Sequence, residues 1–293
     1  MRSRMGFSLI EIMFSIAILA LLVVMLSRMV GSASTIATLG HKRMDLDSQV
    51  RPVLDRLAVD LAQMIKRPDV DYYGKSTTDL QTGAGGGGND RFAFFTTGLP
   101  TAGYYPASGS QSPVCLVSYR INASNTSASF NRTERMGKGL LWNGVSTTYK
   151  PLMFGPAGTL VANWPYVADN TSPDPDNGYE TVGQYVFRFE YCYLLKTTGL
   201  LASSAGSPGM QDVAAIIVTL AAVDPTSRVL LSDANMTTLI SRLVDFPTDP
   251  TPSTKASDLT TSWQAGLDAT TDMPRPAVDG IRIYQRTFYL TPK

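Results

Sequence analysis

Histidine, cysteine and net charge are all scarce in this chain, and each scarcity removes a class of chemistry. His41 is the single histidine in 293 residues. A zincin needs an HExxH pair, and a Ser-His-Asp hydrolase needs a GxSxG elbow; neither is written here. His41 itself follows a long apolar run and reads as a solvated helix residue. The two cysteines, Cys115 and Cys192, are far apart, which excludes a CxxC redox site and a cysteine-based zinc cluster. One disulfide between them or two separate thiols both fit the sequence, and the choice rests on whether their Cβ atoms approach. Charged residues are 17% of the chain and the net charge is +1. No Lys/Arg block interleaved with aromatics occurs, so the electrostatic footprint of a nucleic-acid binder is missing. Glycosidase-type catalysis needs only two convergent carboxylates, but no pair is singled out here. The expectation is a protein that is not an enzyme and does not bind nucleic acid.

Apolar residues are plentiful at 44%, enough for a packed core. They are concentrated first between Phe7 and Val30, where Ser15 is the one polar interruption from Ile12 to Leu26. At 1.5 Å per residue a helix of about 24 residues reaches about 36 Å, more than a hydrocarbon core of about 30 Å. Arg2 and Arg4 precede the run, and Arg28, His41, Lys42 and Arg43 lie at or beyond its far end. The short basic leader favours a cytoplasmic N-terminus.

One residue in this run is out of place. Glu11 puts a carboxylate in an apolar helix, at a cost of a few kcal/mol on insertion scales. A secretory signal peptide cleaved near Gly31-Ser-Ala-Ser34, or a plain signal anchor, leaves that carboxylate unexplained. A cut between Gly6 and Phe7 explains it. It frees an amino group on Phe7 and makes Glu11 the fifth residue of the mature chain, so the two charges neutralise each other within one subunit or between neighbours.

The segment Gly6-Phe7-Ser8-Leu9-Ile10-Glu11-Ile12-Met13, after its basic leader, resembles the type III signal of type IV prepilins and pseudopilins. The resemblance implies cleavage by a prepilin peptidase between Gly6 and Phe7, N-methylation of Phe7, and packing of the apolar helix into a filament core with Glu11 as the assembly charge. Four regions follow from it: a leader over 1–6, a transmembrane and filament-core helix over 7–30, an amphipathic stem over 31–68, and a β-rich periplasmic domain over 69–293. Its location is then the bacterial inner membrane, single-pass. The partners implied are the peptidase and other pilins or pseudopilins.

Beyond the apolar run the helical period continues. Leu46, Val50, Val53, Leu54, Leu57, Leu61, Met64 and Ile65 recur at offsets of three and four, with Asp45, Asp47, Arg51, Asp55, Arg56, Asp60 and Lys66 between them as a solvated face. Pro52 predicts a kink or break, and Arg67-Pro68 predicts the end of the helix. Val50–Tyr73 and Val182–Leu195 resemble the J-type minor pseudopilin of type II secretion, and 213–228 and 280–290 resemble the prepilin-like protein C of the Verru_Chthon cassette.

From Asp69 onward the pattern turns to strands. Arg91–Thr96, Val114–Ile121, Gln184–Leu195, Val213–Val223 and Ile281–Leu290 are dense in Val, Ile, Phe and Tyr. Within the third, Tyr185, Phe187, Phe189, Tyr191 and Tyr193 alternate with Val186, Arg188, Glu190 and Cys192, which gives an aromatic face to pack on the stem. Val213–Val223 reads as a central strand, with a buried helix as the alternative. Asp233–Val244 reads as a helix with Asn235 as its cap. Gly83–Gly88 is linker chemistry, and 246–279 is a polar loop in which Trp263 and Leu267 form a short docked turn. The predicted fold is α+β and pilin-like: a long N-terminal helix packed on an antiparallel sheet domain.

Asp169–Glu180 gathers acids around Gly178. Asp174, Asp176 and Glu180 are candidate calcium ligands, although the downstream bidentate Glu of an EF-hand is missing; a polar turn is the alternative. No other cofactor is indicated. Two functional classes remain: a structural filament subunit at a tip or initiation complex, and a membrane-tethered binding module that uses the N-terminal helix only as an anchor.

Overall fold

Helix α1 runs from Leu9 to Ala62 with Pro52 inside it. Of the kink or break expected at Pro52, the break does not occur. Val50, Val53, Leu54 and Leu57 are all buried around it, and at about 1.5–3 kcal/mol per buried aliphatic side chain their packing outweighs the roughly 3 kcal/mol cost of an internal proline. The computed structural model describes residues 9–68, 70, 72–74, 88–98, 111–121, 132–141, 179–206, 209–247 and 250–290. Two compact units divide the chain, Met1–Asp45 and Leu46–Lys293. The later half of the stem therefore belongs to the body.

The helix stops at Ala62, short of Arg67-Pro68. The reason is the edge of strand β1 (Phe92–Thr96). Met64 forms an antiparallel bridge to Thr96 and Tyr73 to Ala93. The Ile65 amide donates to the Phe95 carbonyl at 2.9 Å, and the Tyr73 amide to the Ala93 carbonyl at 2.9 Å. Leaving the helix lets the chain satisfy an otherwise open sheet edge.

Two antiparallel sheets form the body, where one was expected. The first has the order β1-β2-β3-β4, with β2 at Gln111–Ile121, β3 at Thr133–Leu141 and β4 at Tyr179–Gly183. The second has the order β6-β5-β7-β8, with β5 at Val186–Leu195, β6 at Leu201–Ala202, β7 at Val213–Val223 and β8 at Ile281–Tyr289. Strand β7 lies between β5 and β8 and is buried almost throughout, so it is the central strand and not a helix.

The alternation expected for β5 holds from Phe189 onward and fails before it. A register shift between Val186 and Arg188 inserts one extra residue. Val186 therefore joins Phe189, Tyr191 and Tyr193 under the stem, while Phe187 joins Cys192 on the opposite face. A β-bulge does this by reversing the parity of side chains on one strand.

The stem residues Leu46, Val50, Val53, Leu57 and Leu61 pack with aromatic residues of both sheets, including Phe92, Phe94, Tyr119 and Tyr191. At Gly183 the stem comes so close that an added Cβ would lie 2.5 Å from Val53 Cγ2. A second core covers the other face of the β5/β7/β8 sheet. There helix α3 (Asp233–Arg242) contributes Met236, Leu239 and Ile240, and helix α4 (Ala256–Asp268) contributes Trp263 and Leu267. The predicted short turn around Trp263 is thus a helix. Short helices α2 (Pro225–Arg228) and α5 (Arg275–Val278) flank this layer. Helix α3 is capped by Ser232, not Asn235: the Asn235 amide donates to Ser232 Oγ at 3.2 Å.

Candidate assembly surface and the charges behind it

Nothing among the described residues packs on the apolar part of α1. Among the described residues it is the one helix long and apolar enough to cross a membrane, and none of its most apolar window is buried. Leu9, Ile10, Met13 and Phe14 are all exposed. Glu11 lies near the start of the described part of α1. Its backbone carbonyl accepts a bond from Ser15 Oγ at 2.8 Å. A shallow depression lined by Glu11, Ile12, Ser15, Ile16 and Leu19 runs along this side of the helix. Gly6 and Phe7, which the cleavage expectation names, lie outside the described residues.

The body treats charge in the opposite way. Asp60, expected on the solvated face of the stem, is buried. Its Oδ2 accepts from Arg135 Nε at 2.6 Å and from the Tyr119 hydroxyl at 2.6 Å, and its Oδ1 accepts from Arg135 Nη2 at 3.0 Å. Arg56 Nε stands 3.7 Å away, one turn back on the stem. This is a bidentate pair, the strongest of the side-chain bonds. Burial, reinforced by the Asp60 charge, holds the Tyr119 phenol well above its usual range. Burial alone lowers the basicity of the Arg135 guanidinium, but the bonds and charge of Asp60 more than offset it, and the group is held above its ordinary value.

A signal for Asp60 was present. It lies three residues after Leu57 and four before Met64, in the middle of the apolar stripe. An acid at a stripe position needs a buried cation. That cation comes from β3, whose sequence TERMGKGLL gives no strand pattern. Neighbouring charges on β3 are paired as well: Glu134 accepts from Arg120 Nε at 3.1 Å and from Arg132 Nε at 3.0 Å.

A second buried group joins the two sheets. Asn89 and Asp90 follow the glycine run and cover the edge of β5. The Phe189 amide donates to Asn89 Oδ1 at 2.8 Å, the Tyr191 amide to Asp90 Oδ2 at 2.9 Å, and the Asp90 amide to the Phe189 carbonyl at 3.0 Å. Arg188 pairs with Glu190 at 3.3 Å and with Asp245, and its guanidinium lies 5.3 Å over the Trp263 ring.

On the outer side of the stem, Tyr284 and Arg286 of β8 reach Asp47 at 2.9 Å and Asp55 at 2.7 Å. Between these two bonds lies a groove of about 460 Å³ lined by Val50, Arg51 and Leu54. Burial and the bond to Asp47 raise the Tyr284 phenol.

Other sequence candidates find plain places. Glu180 accepts from Arg135 Nη1 at 3.1 Å, so its carboxylate serves the Asp60 cluster, while Asp174 and Asp176 lie outside the described residues. Among the described residues no group of three or more His, Cys, Asp or Glu is placed to hold a metal ion. Cys115 and Cys192 are separate buried thiols on different sheets, so the disulfide alternative is not formed. Burial pushes the Cys115 thiol up to about 11. His41 is exposed on α1.

The chain matches no protein-family model and no curated protein sequence.

Proposed function

We propose that this protein is a pseudopilin-like structural subunit of a type II secretion or type IV pilus-like filament, held in the bacterial inner membrane by α1 before assembly, with the body on the periplasmic side. One observation carries the reading. An apolar helix that none of the described residues covers carries Glu11 near its start and continues directly into a stem packed in an α+β body. Such a surface demands lipid or other helices around it. Processing between Gly6 and Phe7 by a prepilin peptidase supplies Glu11 with the Phe7 amino group, four positions away in sequence, as its counter-charge. The large body suits a place at the tip or in the initiation complex.

The test is the N-terminal peptide of the protein extracted from membranes of its own host. The expected chain begins at N-methylated Phe7. A chain beginning near Ser32–Ser34 would mean that the apolar helix has been removed, and the proposal would be wrong.

A further inference from the structure

From Leu9 to Gly40, α1 carries two charged side chains, Glu11 and Arg28. Both are exposed, and neither has an ion-pair partner among the described residues. They stand seventeen positions apart, which is about 26 Å along the axis at 1.5 Å per residue. No rotamer closes that distance, so they cannot neutralise each other in one helix. Between two parallel copies they can. Opposite charges at a fixed separation on one rod become neighbours when a second rod slides by that separation.

We propose that Arg28 is the other half of a docking pair: in stacked copies, the Glu11 carboxylate of one copy accepts hydrogen bonds from the Arg28 guanidinium of a second copy of this chain, staggered by about 26 Å. The proposal rests on the filament reading above and adds the partner and the stagger. The chemistry fits an apolar setting. Arginine stays charged there and offers a planar fork to a carboxylate, and the remaining carboxylate lone pairs stay open to the Phe7 amino group. A helix parked in lipid gives Arg28 a different anion, because it lies near the far end of the apolar run, where its long side chain reaches the headgroups. On leaving the lipid it loses that partner, and Glu11 of the next copy replaces it.

The same stagger sets bulky residues against small ones. It brings Phe14–Val23 of one copy level with Gly31–Gly40 of the other, and an added Cβ at either Gly31 or Gly40 would meet nothing within 4 Å. The contact is heterologous and does not close, so it propagates as an open stack, although two copies suffice to satisfy one pair.

The experiment uses two full-length copies expressed together in the host, one carrying Ile18→Cys and the other Thr35→Cys, each two turns beyond the proposed pair and on the same helix face, oxidised in the membrane and separated without reductant. The native thiols are buried and stay silent. A cross-linked dimer is expected from the mixed pair and not from Ile18→Cys with Val24→Cys, which tests a different offset. Adding Arg28→Gln to the second copy should lower the cross-linked fraction roughly tenfold, the effect of losing about 1.4 kcal/mol, and Arg28→Lys should keep most of it. Glu11→Arg in one copy should abolish the product, and Arg28→Glu in the other should restore it. No product at this offset, or a product indifferent to Arg28, overturns the pairing. The filament reading is tested separately by the N-terminal peptide and falls if the mature chain does not begin at Phe7.

Discussion

The two ends of α1 handle charge in opposite ways. Near its start, Glu11 stands on an apolar surface that the described residues leave uncovered. Near its end, Asp60 is buried and bonded by Arg135 and Tyr119. Both residues are acids on a largely apolar face, and both are costly unless paired. The difference is where the cation comes from. The body brings its own, on β3. Among the described residues the N-terminal segment brings none that reaches Glu11; on the reading proposed above, its counter-charge comes from processing or from another molecule.

The largest effect expected on this contrast is at Asp60. Asp60→Ala strands the Arg135 guanidinium in the core and should cost about 3–5 kcal/mol, read as a lower urea midpoint. Replacing both partners, Asp60→Leu with Arg135→Met, should cost clearly less than Asp60→Ala. Equal losses would mean that the pair acts through packing alone. Next comes Gly183→Val, which drives a side chain into Val53; overpacking of this kind costs about 1–3 kcal/mol, and Val53→Ala should return part of it.

A smaller and more gradual effect is expected at alkaline pH. Burial holds Tyr119, Tyr191, Tyr193 and the Cys115 thiol in their protonated forms, with folded pKa values above the unfolded ones. The stability they contribute is fully present below the unfolded values and is lost as pH rises toward the folded ones. For Cys115 that window runs from 9.0 to about 11. Thermal midpoints that stay flat from pH 8.5 to above 11 would contradict this. The smallest expected effect is none at all: Glu11→Ala should leave the urea midpoint of the body unchanged while abolishing incorporation into filaments. A shifted midpoint would show that Glu11 serves the fold and would erase the contrast.

Much of this was legible before the structure. Five strands, β1, β2, β5, β7 and β8, fall where Val, Ile, Phe and Tyr cluster, because each buries both faces or one aromatic face. Strands β3 and β4 were not legible. Thr133-Glu-Arg and Tyr179-Glu-Thr look like loop, and they become sheet because Asp60, Arg120 and Arg135 pair their charges from elements distant in sequence. Helix α4 hid among Ser, Thr and Asp because Leu259, Trp263 and Leu267, at a spacing of four, are its whole buried face. The bulge in β5 carries no glycine to mark it. At the candidate site, Glu11 was legible from its chemical oddity alone, while Arg28 gains its meaning only once the helix is seen to be continuous and uncovered.

The two bonds from β8 to the stem bear on the order of events during synthesis. Tyr284 and Arg286 reach back across 237 and 231 residues to Asp47 and Asp55. An early element is thus fastened by one made much later. Contacts of such long sequence separation close late, after the loop entropy between them has been overcome. A chain emerging N-terminus first therefore completes its apolar helix well before the stem can be clamped to a finished body. On the membrane-anchored reading proposed above, insertion then precedes folding, and β8 acts as the latch.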